Sequence, residues 1–372
     1  MKNTVWRFFC VRKMTQKNRP LVLLRLNERG VSVDIKEVRS VAREKMKGYC
    51  RVCPVCNGVA CAGEVPGMGG SLTGSTFKSN VEDLSKVKLR LKTIHNVKVP
   101  NLKFDFFNTE LDFPIIAAPI TGSAFNMGGA LTEREYIDSA VNGSISSGTI
   151  AMIGDSADLT MYDDGLEALK AVGGKGVAII KPRENSHVIE NIKKAESANL
   201  IAAGMDIDGA GLVTMALKGQ PVGPKTVEEL KEIVSSTKLP FILKGIMTVE
   251  EAELAVEIGA KAIVISNHGG RILDHAESSA KALLEISNAV KGKTMILADG
   301  GIRSGVDVFK MLALGADAVL IGRPIIIGAF GGYKEGVSLV LGNMKNELYQ
   351  AMILTGSKDL TSIDTSKISI QW

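Results

Sequence analysis

From residue 114 onward the chain repeats one alternation: apolar runs of strand length, bounded by Gly, Pro, Asp or Asn, recur every 25 to 40 residues with helical patterns between them. Eight such runs are read as strands: 114–118, 146–153, 176–181, 201–206, 240–244, 262–266, 294–298 and 317–321. The intervening segments carry helix grammar. In TVEEAELAVEIG (248–259) a Thr stands at the N-cap, glutamates fill the first turn, and Gly marks the stop. GVDVFKMLALG (305–315) repeats the pattern.

Near-continuous apolar strands are those buried on both faces, as in a parallel sheet, and eight strand–helix units close most simply into a barrel. The expected fold class is therefore α/β, a (β/α)₈ barrel over residues 114–372, with an open doubly wound sheet as the alternative. Upstream, VDIKEVRSVAREKMKG (33–48) has an amphipathic helical pattern, followed by a cysteine-rich stretch, a glycine-rich loop (63–74) and a hairpin at 104–113. Residues 34–113 are expected to form a helical and loop lid on the barrel.

Composition narrows the class. Apolar residues make up 45% of 372 positions, and 39 glycines against 11 prolines suit many tight βα turns rather than disorder. Residues 1–30 hold eight Lys and Arg against one Glu, a charge of +7, which leaves −2 on the remainder of a chain whose total is +5. Basicity thus belongs to a tail, 1–33, expected to be flexible, in which Met14 offers an alternative start. The body has no nucleic-acid footprint. The tail's apolar run, 20–24, is too short for a signal-peptide core or a membrane span. A cytoplasmic location without membrane attachment is the expectation.

Barrel chemistry is done at the C-terminal ends of strands, and phosphate commonly binds on the loops after strands seven and eight. Here those loops read Asp299-Gly300-Gly301-Ile302-Arg303 and Gly322-Arg323-Pro324. Glycines admit close backbone approach to phosphate oxygens, and each loop adds a guanidinium. Strand five ends in Lys244, and strand six runs into Ser266-Asn267-His268-Gly269-Gly270-Arg271. A histidine there supplies a base that titrates near neutrality, and an arginine three residues on supplies a fork for a carboxylate.

From about Pro240 to Ala351 the chain resembles the FMN-dependent 2-hydroxy acid oxidase and dehydrogenase family, which includes glycolate oxidase and lactate oxidase. The resemblance is carried by LKGI (243–246), ISNHGGR (265–271) and LADGGIRSGVDVFKMLALGADAVLIGRP (297–324), with weaker support from IIAAPI (115–120). It implies oxidation of a 2-hydroxy acid to the 2-oxo acid, with electrons passing to FMN and then to oxygen or another acceptor. His268 would remove a substrate proton, Asp208 would orient it, Arg271 would hold the carboxylate, and Lys244 would stabilise charge on the flavin. Ala118, Pro119, Ile120, Ser266, Asp299, Gly300, Gly301, Arg303, Gly322 and Arg323 would contact the cofactor. Expected partners are the hydroxy acid, an electron acceptor and further copies of the chain. A non-redox FMN enzyme resembling type 2 isopentenyl diphosphate isomerase, or a flavin binder without catalysis, are the alternatives.

Departures fall where substrate is recognised. Ala178 and Ile180 stand where close relatives carry Gln and Tyr, and Gly209, Ala210 and Gly211 stand where a second arginine would follow strand four. Carboxylate binding would then rest on Arg271, helped by Lys181 or Arg183. His275 and Asp274 are expected to cap the next helix, and Asn126–Gly129 to border the site or simply turn.

Four cysteines form Cys50-x₂-Cys53-x₂-Cys56-x₄-Cys61. This spacing suits an iron–sulfur cluster more than zinc, whose two-by-two sites usually have a longer gap, with reduced thiols as the remaining reading. Typical relatives carry no such quartet, so the resemblance does not account for it.

Overall fold

The structure is a computed structural model that describes residues 34–372; the tail 1–33 lies outside the described residues. All eight expected strands form. They are β1 (Ile115–Ala117), β2 (Ala151–Gly154), β3 (Gly176–Ile180), β4 (Ala202–Asp206), β5 (Phe241–Ile246), β6 (Ala262–Ile265), β7 (Met295–Ala298) and β8 (Ala318–Ile321). Every ladder between neighbours is parallel, and β8 pairs with β1 to close the barrel. The open sheet is thereby excluded. The run at 146–153 starts later than its apolarity suggests, because helix Glu133–Ser147 continues to a left-handed cap at Gly148 and the strand begins at Ala151.

Inward side chains of the strands, among them Ile116, Met152, Val177, Ile179, Ile242 and Val264, fill the barrel interior as one buried cluster. The outward side chains join the surrounding helices in a second, larger core. The helices keep the caps their sequences advertise: the Thr248 hydroxyl accepts from Glu251 N–H, and the Ser304 hydroxyl from Asp307 N–H.

The expected lid divides. Phe106 and Leu111 of the hairpin Phe104–Phe106/Thr109–Leu111 pack with Ile116, Ile150, Ala202 and Ala262, near the strand beginnings, so this part plugs the bottom of the barrel. Val87–Leu89 pairs with Ile368–Ile370 outside it. Only the cysteine and glycine segments and helix Ser75–Lys86 reach the catalytic face.

Helix Arg323–Thr355 is long and apolar enough to cross a membrane, but 56% of its apolar window is buried, and the path breaks at Gly332 and Tyr333. It is a core helix of the barrel's outer layer. Its first turn, with Arg323 at the start, opens at the barrel mouth.

Candidate active site

Four consecutive strand ends, β3 to β6, meet at one carboxylate, Asp206. In the β4–β5 ladder Asp206 is the direct partner of Lys244. Lys244 Nζ donates to Asp206 Oδ1 at 2.9 Å, and Lys181 Nζ, one residue past β3, donates to Oδ2 at 2.6 Å. His268 Nδ1 lies 3.2 Å from Asp208 Oδ1 and 3.5 Å from Asp206 Oδ2. With Nδ1 turned to carboxylates, Nε2 is the ring nitrogen left for the cavity, which His268 lines.

Local backbone features fix this arrangement. A register shift in β5 falls between Lys244 and Ile246, where Gly245 has φ +103°, and a Cβ there would lie 2.9 Å from the Asp208 side chain. His268 itself is left-handed at φ +57°, with its N–H on the Ser266 hydroxyl at 3.1 Å.

The charges are strongly biased. Burial works against ionisation of Asp206, but Lys181, Lys244 and His268 hold it well below the ordinary carboxylate range. Burial, and then the charge of Asp206, push Asp208 up. Burial alone would lower Lys244, yet Asp206, Asp208 and Asp299 outweigh it and raise it, so this lysine is cationic throughout the working range.

The predicted residues largely meet in one cavity. Its wall includes Ala118, Pro119 and Ile120 on one side, Lys244, His268 and Arg271 on another, and Asp299, Gly300, Gly301, Arg303, Gly322 and Arg323 at the phosphate end. Ser266 does not line it. That side chain is fully buried; its hydroxyl donates to Asp299 Oδ2 at 2.9 Å and accepts from His268 N–H at 3.1 Å. Asp208 does not line the cavity either, and its Oδ1 lies against His268 Nδ1.

The glycines have a second reason to be glycine. At Gly301, with φ +78°, a Cβ would collide with the Asn80 carbonyl of helix Ser75–Lys86. The bare backbone therefore serves lid packing behind the loop as well as access in front.

Arg271, Arg303 and Arg323 have no carboxylate partner among the described residues. They donate to carbonyls instead: Arg271 to Gly67, Arg303 Nε to Cys56 at 3.2 Å, and Arg323 Nε to Met68 at 2.9 Å. Burial pulls Arg271 down to about 10, and burial with Arg303 pulls Arg323 down to about 9. An anion at this end of the cavity would relieve both. Arg303 Nη2 and Asp299 Oδ1, on residues that line the cavity, are buried without a partner, leaving one free donor and one free acceptor there. A phosphate and a ribityl hydroxyl fit that set.

Several expectations are corrected. Arg183 is not available to substrate: its Nε meets Asp155 Oδ2 at 3.1 Å, Nη1 meets Gln220 Oε1 at 2.6 Å, and the side chain is 4% exposed. Asp274 does not cap the following helix, whose cap is Ser278. It caps the lid helix 200 residues away, accepting from Thr73 N–H and Ser75 N–H at 2.7 Å each. Burial would raise this carboxyl, but those hydrogen bonds hold it at about 2. His275 is exposed. Asn126 does border the site: its Oδ1 accepts from Arg271 Nη2 at 2.9 Å.

The four thiols are half-buried and unbridged. Among the described residues, the one group of three or more ligand atoms within 4.8 Å of one another is Asp206, Asp208 and His268, so no single-metal thiolate site is preformed. Two lysines on Asp206 disfavour a cation at that carboxylate group.

Asp206 is the site residue that motif reading missed, and Lys181, expected to help bind the substrate carboxylate, is paired with it at 2.6 Å. The strand-end rule that selected Lys244 applied equally to Asp206 at the end of β4.

Comparison with known proteins agrees with the geometry. The family model described as FMN-dependent dehydrogenase matches residues 67–214 and 213–370. The 2-hydroxyacid oxidase of Dictyostelium discoideum is 33% identical over 332 residues, 80% of this chain and 84% of that protein. The L-lactate oxidase of a Nostoc species is 35% identical, covering 78% and 89%. A crystal structure of mandelate oxidase superposes with a TM-score of 0.76 at 26% identity, covering 92% of this chain and 99% of that one.

Proposed function

We propose, from the premise that the chain belongs to the FMN-dependent dehydrogenase family, that it oxidises a 2-hydroxy acid to the corresponding 2-oxo acid. The observation that carries this reading is His268 backed by Asp206 and Asp208, beside Lys244 and Arg271, in a cavity whose other end suits a phosphate.

When bound, FMN supplies the two-electron acceptor. Ala118, Pro119 and Ile120 would flank its ring system, and Lys244 would place a fixed positive charge against it. Asp299, Gly300, Gly301, Arg303, Gly322 and Arg323 would hold the ribityl phosphate by charge-assisted and backbone hydrogen bonds.

Arg271 binds the substrate carboxylate, and Asn126 holds its guanidinium to the cavity wall. Nε2 of His268 accepts the proton that the hydroxy acid releases. The carboxylates at Nδ1 fix the orientation of the ring and offset the charge of the imidazolium that forms. Such an oriented base has no part in a simple flavin binder, and it favours proton abstraction over a non-redox role.

Pro66, Met68, Phe125 and Met215 give the rest of the cavity an apolar wall. That surface favours a hydroxy acid with an apolar side chain over glycolate, since the wall gains only from apolar contact. The test is anaerobic mixing of the yellow holoenzyme with glycolate, lactate, 2-hydroxyisocaproate and mandelate. Bleaching of the flavin, fastest with the apolar acids, is expected. Absence of bleaching with every acid refutes the activity, and preference for glycolate refutes the assigned substrate class.

A further inference from the structure

The lid segment 50–61 contains no helix or strand, and a single backbone–backbone hydrogen bond lies within it, from Asn57 N–H to the Val55 carbonyl at 3.2 Å. Such a stretch needs an external staple. Part of one comes from arginines: Arg39 Nη2 donates to the Cys53 carbonyl at 2.5 Å, Arg43 Nε to the Arg51 carbonyl at 3.1 Å, and Arg303 Nε to the Cys56 carbonyl at 3.2 Å. Glu64, paired with Arg51 at 2.7 Å, is the one carboxylate partnering an arginine in this segment. Arg39 and Arg43 have no acidic partner among the described residues and take no part in the flavin site. The segment thus has guanidinium groups held on its backbone carbonyls and contains four half-buried thiols.

We propose that Cys50, Cys53, Cys56 and Cys61 hold an iron–sulfur cluster in this lid. Three thiolates with two residues between neighbours wrap one face of a cluster, and Cys61, with four residues between it and Cys56, is assigned as the fourth ligand of a Cys₄ set. Four thiolates on a cluster leave net negative charge, which the arginines bound to this segment's carbonyls would offset.

Zinc fits less well. With Zn–S bonds of about 2.3 Å in a tetrahedron, the sulfurs of a zinc site stand about 3.8 Å apart. No three of these thiols fall within 4.8 Å of one another. In a cluster each thiolate binds its own iron, so the sulfurs stand further apart. Val52 N–H already donates to Cys50 Sγ at 3.4 Å, the kind of contact that stabilises a cluster thiolate.

The test is iron and acid-labile sulfide analysis of the full chain, purified without oxygen and then incubated with ferrous iron, sulfide and thiol. About four of each per chain is expected, the content of one Cys₄-bound [4Fe–4S] centre, with a paramagnetic signal after dithionite reduction. Cys53→Ser and Cys56→Ser should lose iron and sulfide together while keeping wild-type FMN content, which separates loss of the cluster from failure to fold. Should both variants misfold, the wild-type metal analysis decides alone. Zinc without sulfide, or four titratable thiols and no metal after reconstitution, overturns the proposal. Flavin content and bleaching are read separately, so neither result bears on the hydroxy acid reading.

Discussion

Replacing Asp206 with Asn keeps the side chain's shape and one acceptor oxygen but removes the charge on which Lys181, Lys244 and His268 converge at 2.6, 2.9 and 3.5 Å. At an effective dielectric constant of about 20, each lysine is attracted by about 6 kcal/mol at these separations. Desolvation of the ions costs several kcal/mol apiece and cancels much of that gain. Removing one partner forfeits the attraction while the lysines stay buried, so a net loss of about 3–5 kcal/mol is expected. Asp208 then ionises more readily without its neighbour's charge, which favours the lower end of that range.

The pH dependence carries a definite sign. Asp206 is held below its ordinary value, so its stabilisation is complete above an unfolded-state pKa of about 3.9 and is lost as pH falls through the lower folded value. The difference between wild type and D206N should therefore be constant from neutral pH to about pH 4 and shrink only below it. Urea unfolding of both proteins at saturating FMN, followed at several pH values, measures this difference. A loss under about 1 kcal/mol at pH 7, the scale of an exposed pair, would refute the hub assigned to Asp206. So would a gap that closes near neutrality.

Three further outcomes follow from the same contacts. His268→Ala should slow anaerobic flavin reduction by about 10²–10⁴-fold, the usual worth of a positioned base, with FMN binding unchanged; stopped-flow absorbance reads both. Asn126→Ala removes the side-chain acceptor from Arg271, a hydrogen bond to a charged group worth about 1.5–3 kcal/mol, so KM for the hydroxy acid should rise about tenfold or more with kcat much less affected. Arg183→Met strips the partner from buried Asp155 and should cost about 3–5 kcal/mol in unfolding experiments. Where R183M folds, KM should stay within about twofold of wild type, because the guanidinium is already committed to Asp155, Ser156 and Gln220.

Much of this protein is legible in its sequence because the relevant signals are local. Period, length and punctuation mark all eight strands, and the position of a residue at a strand's C-terminal end is enough to place Lys244, His268 and the DGG and GRP loops at the same mouth. Caps such as Thr248 and Ser304 are equally local, since a hydroxyl and the amide it accepts from stand three residues apart.

Tertiary structure alone decided which charges meet. Lys181, Asp206 and Lys244 stand on separate strands, 25 and 38 residues apart, and only the register of parallel ladders makes them one network. Arg183 reads as a free cation until Asp155 closes on it, and Asp274 reads as a cap for its own neighbourhood until the lid helix arrives from 200 residues away. Hydrophobic periodicity fixes the face on which a side chain lies. Which polar atom it meets there depends on how distant segments are brought together, and the cost of leaving a buried charge unmatched selects that pairing.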